Sequence, residues 1–123
     1  MPYSALLLQH FHHPQYAGRL ASGPGVYEAQ VSIPSGDQVR LAIATENSHI
    51  KDIRYQVFGC PATIACMSWV ATELINQDFM HAKQVTAASI QAALSLPAHK
   101  YRCALLAEQA LEKVLQQWYN AGK

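Results

Sequence analysis

At Gly59-Cys60-Pro61 the apolar pattern of this chain changes period, from every second residue before that point to every third or fourth after it. A period of two marks a half-buried strand and a period near 3.6 an amphipathic helix, so a strand must end and a helix begin within about three residues. Glycine permits the sharp turn, and proline suits the first helical position, where its missing N–H costs nothing. Cys60 is thereby placed at a helix cap. There the unpaired N–H groups and the positive end of the helix dipole favour the thiolate over the thiol, which improves the sulfur both as nucleophile and as metal ligand. A small buried core cysteine is the alternative reading of such a residue.

Upstream of this junction three strands are expected. Val26 to Ile33 alternates, with Val31 and Ile33 on one face. Pro34-Ser35-Gly36-Asp37 makes a turn, and Val39, Leu41 and Ile43 repeat the alternation. After the polar turn Glu46-Asn47-Ser48, residues Ile53, Tyr55 and Val57 carry a third strand to Gly59, giving an antiparallel meander. Before the strands, Tyr3 to Phe11 reads as a short helix with Leu6, Leu7 and Leu8 available to the core, stopped by His13-Pro14 and Gly18. Gly18 to Gly25 should be an irregular loop.

After the junction, Ile64, Met67, Ala71, Leu74 and Ile75 share a helical face through to Gln77. Thr86 can cap a second helix, Ala87 to Leu94, which must end near Leu96-Pro97. The last helix starts at about Tyr101 or Arg102 and runs to about Asn120, with Leu111, Val114, Leu115 and Trp118 as its core stripe. The chain therefore reads as one α+β domain over residues 1–123, a three-stranded antiparallel sheet covered by helices in the order α-β-β-β-α-α-α. Its 123 residues, half of them apolar, suffice for one core.

Charge excludes some partners. Nine Lys+Arg against eight Asp+Glu create no basic field for nucleic acid or an anionic membrane. No apolar run approaches the roughly 20 residues of a membrane span, and Met1-Pro2-Tyr3-Ser4 lacks the features of a signal peptide. Three cysteines without a C-x-x-C pair fit a reducing compartment, so a cytoplasmic protein is expected. The cluster His10, His12 and His13, beside a proline stop and without an acidic or cysteine neighbour, reads as a surface feature.

Two further residues carry possible chemistry. Cys103 falls in the first turn of the last helix, so it shares the helix-terminal setting of Cys60. Asp37 presents a carboxylate at a tight turn, a hard ligand suited to iron or zinc. Cys66, mid-helix, reads as a core thiol. Three residues so far apart form no local motif, and local hydrogen bonding accounts for an Asp in a turn equally well.

The order of these segments resembles the scaffold proteins of iron–sulfur cluster assembly, the IscU/NifU amino-terminal family. The resemblance rests on Tyr3-Ser4 with its helix, His13-Pro14 to Gly18, Pro34-Ser35-Gly36-Asp37, Tyr55 to Ala65 (YQVFGCPATIA) and Leu96 to Ala107 (LPAHKYRCALLA). It implies ligands gathered from three loops at one end of the sheet, with Asp37, Cys60 and Cys103 at ligand positions. Ser35 stands where the family carries a cysteine and Arg102 where it carries a histidine. A serine hydroxyl is a poor ligand beside a thiolate, and a guanidinium has no lone pair to offer. Cluster binding should be transient and weakened, with zinc an alternative occupant and His99 a conceivable substitute ligand. Arg102 next to Cys103 would also depress its thiol pKa or simply make a surface salt bridge. Leu96, Pro97 and Lys100 are what remains of the family's Hsc-type chaperone segment, and Ala98 and His99 argue against chaperone handling.

The resemblance implies a divergent cluster scaffold or carrier, not an enzyme, that takes iron and sulfide or sulfur from a cysteine desulfurase. The rival is an interaction module that keeps the fold and partner surface without assembling clusters, for which Ser35 and Arg102 speak. A persulfide carrier using Cys60 or Cys103 lies between them.

Overall fold

The computed structural model describes residues 3–34 and 36–122. The elements are α1 (Ala5–His12), β1 (Val26–Ser32), β2 (Gln38–Glu46), β3 (His49–Phe58), α2 (Pro61–Leu74), α3 (Phe79–Lys83), α4 (Ala87–Leu94), a 3-10 turn (Ala98–Lys100) and α5 (Tyr101–Ala121). The strands form one antiparallel sheet in the order β1-β2-β3. Val31 pairs with Val39, Leu41 with both Ala29 and Tyr55, and Gln38 with Phe58. Ala29, Val31, Val39, Leu41, Ile43, Ile53 and Tyr55 are buried, and the alternation that predicted the strands is the alternation that fills the core. Helix α5 covers β1 and β2, and α2 lies against β3.

The helices follow their caps. Thr86 and Ser89 make a reciprocal capping box at the start of α4, and Ser95 ends that helix in the left-handed region. The Ser4 hydroxyl accepts from Leu7 N–H at 3.1 Å to cap α1 and donates to the Leu94 carbonyl at 2.5 Å.

Several expectations need correction. Of the three leucines in α1 only Leu7 is fully buried, because consecutive helical residues point about 100° apart; Leu6 and Leu8 are exposed. Helix α2 stops at Leu74, not Gln77. Asn76 enters the left-handed region (φ 67°) and its N–H donates to Ile50 C=O at 2.7 Å, while Gln77 C=O accepts from Ile50 N–H. The start of β3 thus captures the backbone that would have extended the helix. Ile64 and Ile75 are half-buried, whereas Met67, Ala71 and Leu74 are buried. The short helix α3 was not anticipated. Asp78 caps it by accepting from His81 N–H at 2.8 Å, and five residues are too few to show a period.

His10 is buried, contrary to the surface reading of its cluster, while His12 and His13 are exposed. His10 Nδ1 lies 2.7 Å from Ser68 Oγ, which also accepts from Gln15 N–H at 2.9 Å. One hydroxyl on α2 thereby holds α1 and the segment after it. Burial lowers the His10 pKa, with Glu73 pulling weakly the other way.

Candidate metal centre

Three chain segments meet at one end of the sheet. The β1–β2 turn is closed by Gly36 N–H donating to Ile33 C=O at 2.9 Å and Ile33 N–H donating to Asp37 C=O at 3.0 Å. Gly36 sits at φ 106°, which a side chain would resist, and this conformation delivers Asp37 to the sheet end. Gln38 pairs with Phe58, so the antiparallel register carried one step further sets Asp37 opposite Gly59. A Cβ on Gly59 would lie 2.8 Å from Asp37 Cγ. The carboxylate occupies space that only a glycine leaves.

Cys60 is the N-cap of α2, with extended backbone and Pro61 directly after it. Its side chain makes no capping bond, which leaves the sulfur free to face the other two segments. The 3-10 turn then feeds α5, where Cys103 is the third residue. The two sulfurs are 3.4 Å apart. Cys60 is half-buried and Cys103 fully buried.

The ligand atoms of Asp37, Cys60 and Cys103 all lie within 4.8 Å of one another, and no other such group of histidine, cysteine and acidic residues occurs among the described residues. Two sulfurs bound tetrahedrally to zinc at about 2.3 Å would stand about 3.8 Å apart, close to the spacing found, so zinc or iron fits with little movement. His99 is exposed on the 3-10 turn and stands outside this group. Ser35 lies outside the described residues. Leu96 is buried, and Pro97 and Lys100 belong to the turn between α4 and α5. Cys66 is fully buried, and burial pushes its thiol far above the ordinary range.

Thr63 is a member that spacing did not reveal. Fully buried in the first turn of α2, its hydroxyl donates to Asp37 Oδ2 at 3.3 Å and lies 3.5 Å from Cys60 Sγ. The available signal was a hydroxyl three residues after a helix cap, within reach of the cap residue. Gly59 was legible as a turn glycine but not as the floor beneath Asp37.

The two thiols do not share one acidity. Burial pushes Cys60 up, but the nearby Thr63 hydroxyl and N–H dipoles, the neighbouring Cys103 and the Lys100 charge outweigh it, and its pKa falls below the ordinary thiol value. Cys103 goes the other way, to about 11, because burial and the Cys60 sulfur outweigh Thr63 and Arg102. A helix terminus and an adjacent cation therefore do not suffice to activate Cys103 as expected. Arg102 does pull it down, but only weakly, and its guanidinium Nη1 lies 3.9 Å from Asp37 Oδ2. That side chain is about half exposed, so the pair is a weak one.

Comparison with known proteins bears on the family and the fold. Residues 2–123 match the model of the NifU-like N terminal domain. The chain is 32% identical over 119 residues to Iron sulfur cluster assembly protein 1, mitochondrial, of Schizosaccharomyces pombe, covering 94% of this chain and 62% of that protein. It is 30% identical over 121 residues to the iron-sulfur cluster assembly scaffold protein IscU of Azotobacter vinelandii, covering 96% of this chain and 94% of that one. The crystal structure of a nitrogen-fixing NifU-like protein (N-terminal) from Brucella abortus superposes with a TM-score of 0.75 at 15% identity, covering 95% and 94% of the two chains, which supports the fold. No helix among the described residues is long and apolar enough to cross a membrane. With a three-stranded sheet, two cysteines and an aspartate converging at its end, and a family match over residues 2–123, the chain belongs to the NifU-like N-terminal domain family of IscU/NifU type.

Proposed function

We propose that this protein is a divergent iron–sulfur cluster assembly scaffold that accepts iron and sulfide, or sulfur from a cysteine desulfurase, at Asp37, Cys60 and Cys103. The observation that carries this reading is the convergence of those three ligand atoms within 4.8 Å. Two soft sulfurs and one carboxylate suit iron or zinc and leave a coordination position open. An open, three-donor site holds its cargo loosely, which is what a carrier needs if the cluster is to be passed on. The names of the relatives, a mitochondrial assembly protein and an IscU scaffold, point the same way. The protein binds and hands on; it is not required to turn over a substrate. Three cysteines without a C-x-x-C pair support a reducing compartment such as the cytoplasm. Phe58, 74% exposed immediately before the Gly59-Cys60 turn, offers an apolar contact beside the site for the sulfur donor.

The test is anaerobic reconstitution with ferrous iron, a cysteine desulfurase and cysteine, followed by visible absorption and by iron and sulfide analysis. A cluster in the native chain that Cys60→Ala and Cys103→Ala both lose is the expected result; absence of cluster in the native chain overturns it.

One observation favours a second reading. The Arg102 guanidinium already stands 3.9 Å from the Asp37 carboxylate, so a cation of the chain itself competes for the hard ligand. On this reading the protein binds the desulfurase or another scaffold without holding iron. Cluster binding that emerges only in the double variant Ser35→Cys, Arg102→His would select it.

A further inference from the structure

The site contains an unequal pair of thiols in van der Waals contact. Cys60 Sγ and Cys103 Sγ are 3.4 Å apart. Cys60, at the cap of α2, is half-buried and reachable from outside; Cys103 is fully buried beneath it. An outside sulfur donor meets Cys60 first, and Cys103 has Cys60 as its nearest reaction partner. Cys66 is fully buried inside α2 and takes no part in the hydrogen-bonded group of sulfurs, hydroxyl and carboxylate.

We propose that Cys60 and Cys103 act as an attacking and resolving pair that releases sulfide: a sulfane sulfur received on Cys60 as a persulfide is expelled when Cys103 attacks the Cys60 sulfur and closes a Cys60–Cys103 disulfide. The inference rests on the reading that this site receives sulfur. The bond between Cys60 Sγ and the terminal sulfur breaks, and a bond between Cys103 Sγ and Cys60 Sγ forms. The terminal sulfur leaves with the electron pair and, with the proton given up by Cys103, departs as hydrogen sulfide. It is reduced from sulfane to sulfide by two electrons, and the two cysteines together are oxidised by two. A small external thiol then restores the dithiol by ordinary exchange. The unmodified sulfurs already stand 3.4 Å apart, so the attacking atom starts in contact with its target. It supplies sulfide at the very donors on which iron is to be held.

The test uses the whole chain, metal-free and anaerobic, with one equivalent of glutathione persulfide, sampled by alkylation, mass spectrometry and sulfide assay. The native chain is expected to release about one sulfide per chain while a Cys60–Cys103 disulfide accumulates in peptide maps. Cys103→Ala and Cys103→Ser should keep the added sulfur on Cys60, with sulfide release falling roughly tenfold or more. Cys66→Ala should behave as the native chain. A persulfide that stays on native Cys60, one that moves to Cys103 without a disulfide, failure of the chain to take up sulfur, or undiminished release from both Cys103 variants would each overturn the proposal. The disulfide map is read on the native chain and does not depend on how the variants fold. Cluster formation from iron and free sulfide needs no persulfide. A chain that assembles a cluster that way yet releases no sulfide refutes this step alone, and one that releases sulfide but holds no iron refutes the scaffold alone.

Discussion

The carboxylate of Asp37 rests on the bare Cα of Gly59, where an added methyl would come within 2.8 Å of Asp37 Cγ. The backbone at Gly59 is not in the left-handed region, so alanine there is conformationally tolerable and its effect falls on Asp37. Gly59→Ala is expected to weaken zinc or cobalt binding about tenfold, equivalent to roughly 1.4 kcal/mol, with little change in melting temperature. Competition against a chromophoric chelator measures the first and circular dichroism the second. Unchanged affinity would mean that Asp37 is not a ligand.

Thr63 donates its hydroxyl proton to Asp37 and lies beside Cys60. Thr63→Val keeps the shape and removes the hydrogen bond, and should lower metal affinity roughly 10-fold or more, as loss of an orienting partner does. Thr63→Ser should restore most of it. The cobalt absorption envelope, sensitive to ligand geometry, should shift in the valine variant alone.

Replacing Arg102 tests the competing cation. Arg102→His removes a charge near Asp37 and supplies a neutral ligand, and zinc affinity should rise about tenfold or more. Arg102→Ala should leave stability within about 1 kcal/mol, because the guanidinium is about half exposed and its contact with Asp37 is long. The melting curves of the two variants and their zinc titrations separate these effects.

Alkylation should follow the opposed acidities. Cys60, below the ordinary thiol value, is expected to react first with iodoacetamide near neutral pH, and Cys103, buried and pushed up to about 11, more slowly, with a rate that climbs as pH rises toward that value. The unfolded chain releases the Cys103 proton near pH 9 while the fold still holds it, so this residue's contribution to stability is lost as pH rises from about 9 to about 11. Chemical denaturation of the metal-free, reduced chain across that window should show the decline. Cys103→Ala should reduce it.

His10 sets the corresponding limit on the acid side. Its folded pKa lies below 6.5, mainly because it is buried, so below that pH the unfolded chain binds a proton that the fold resists. Stability should fall as pH drops below about 6.5, and a His10→Gln variant should fall less. Ser68→Ala, which strips both His10 and the Gln15 N–H of a partner, should cost roughly 1–3 kcal/mol. Denaturant midpoints at two pH values measure both.

The strands and α4 were legible because each is written in local rules: alternation at Val39, Leu41 and Ile43, and a capping threonine at Thr86. What escaped depended on contacts made elsewhere. The end of α2 is set by Ile50, some 25 residues away, through its bonds to Asn76 and Gln77. His10 is buried because Ser68 on another helix receives it. At the site, Cys60 and Cys103 were legible from two helix starts and Asp37 from a tight turn, and the family resemblance joined them as one ligand set, but their convergence follows from register and helix packing that no short window contains. Burial reverses the acidity that Cys103 would owe to its helix terminus, and burial is a property of the whole fold.

The Ser4 hydroxyl that caps α1 also bonds the Leu94 carbonyl, across a sequence separation of 90 residues. An eight-residue helix has little stability by itself in water. During synthesis α1 therefore emerges ahead of α4 but is finished late, after the chain past Leu94 has been made and α4 has taken its place. The helix that Ser4 caps is held by a part of the chain that does not yet exist when that helix emerges.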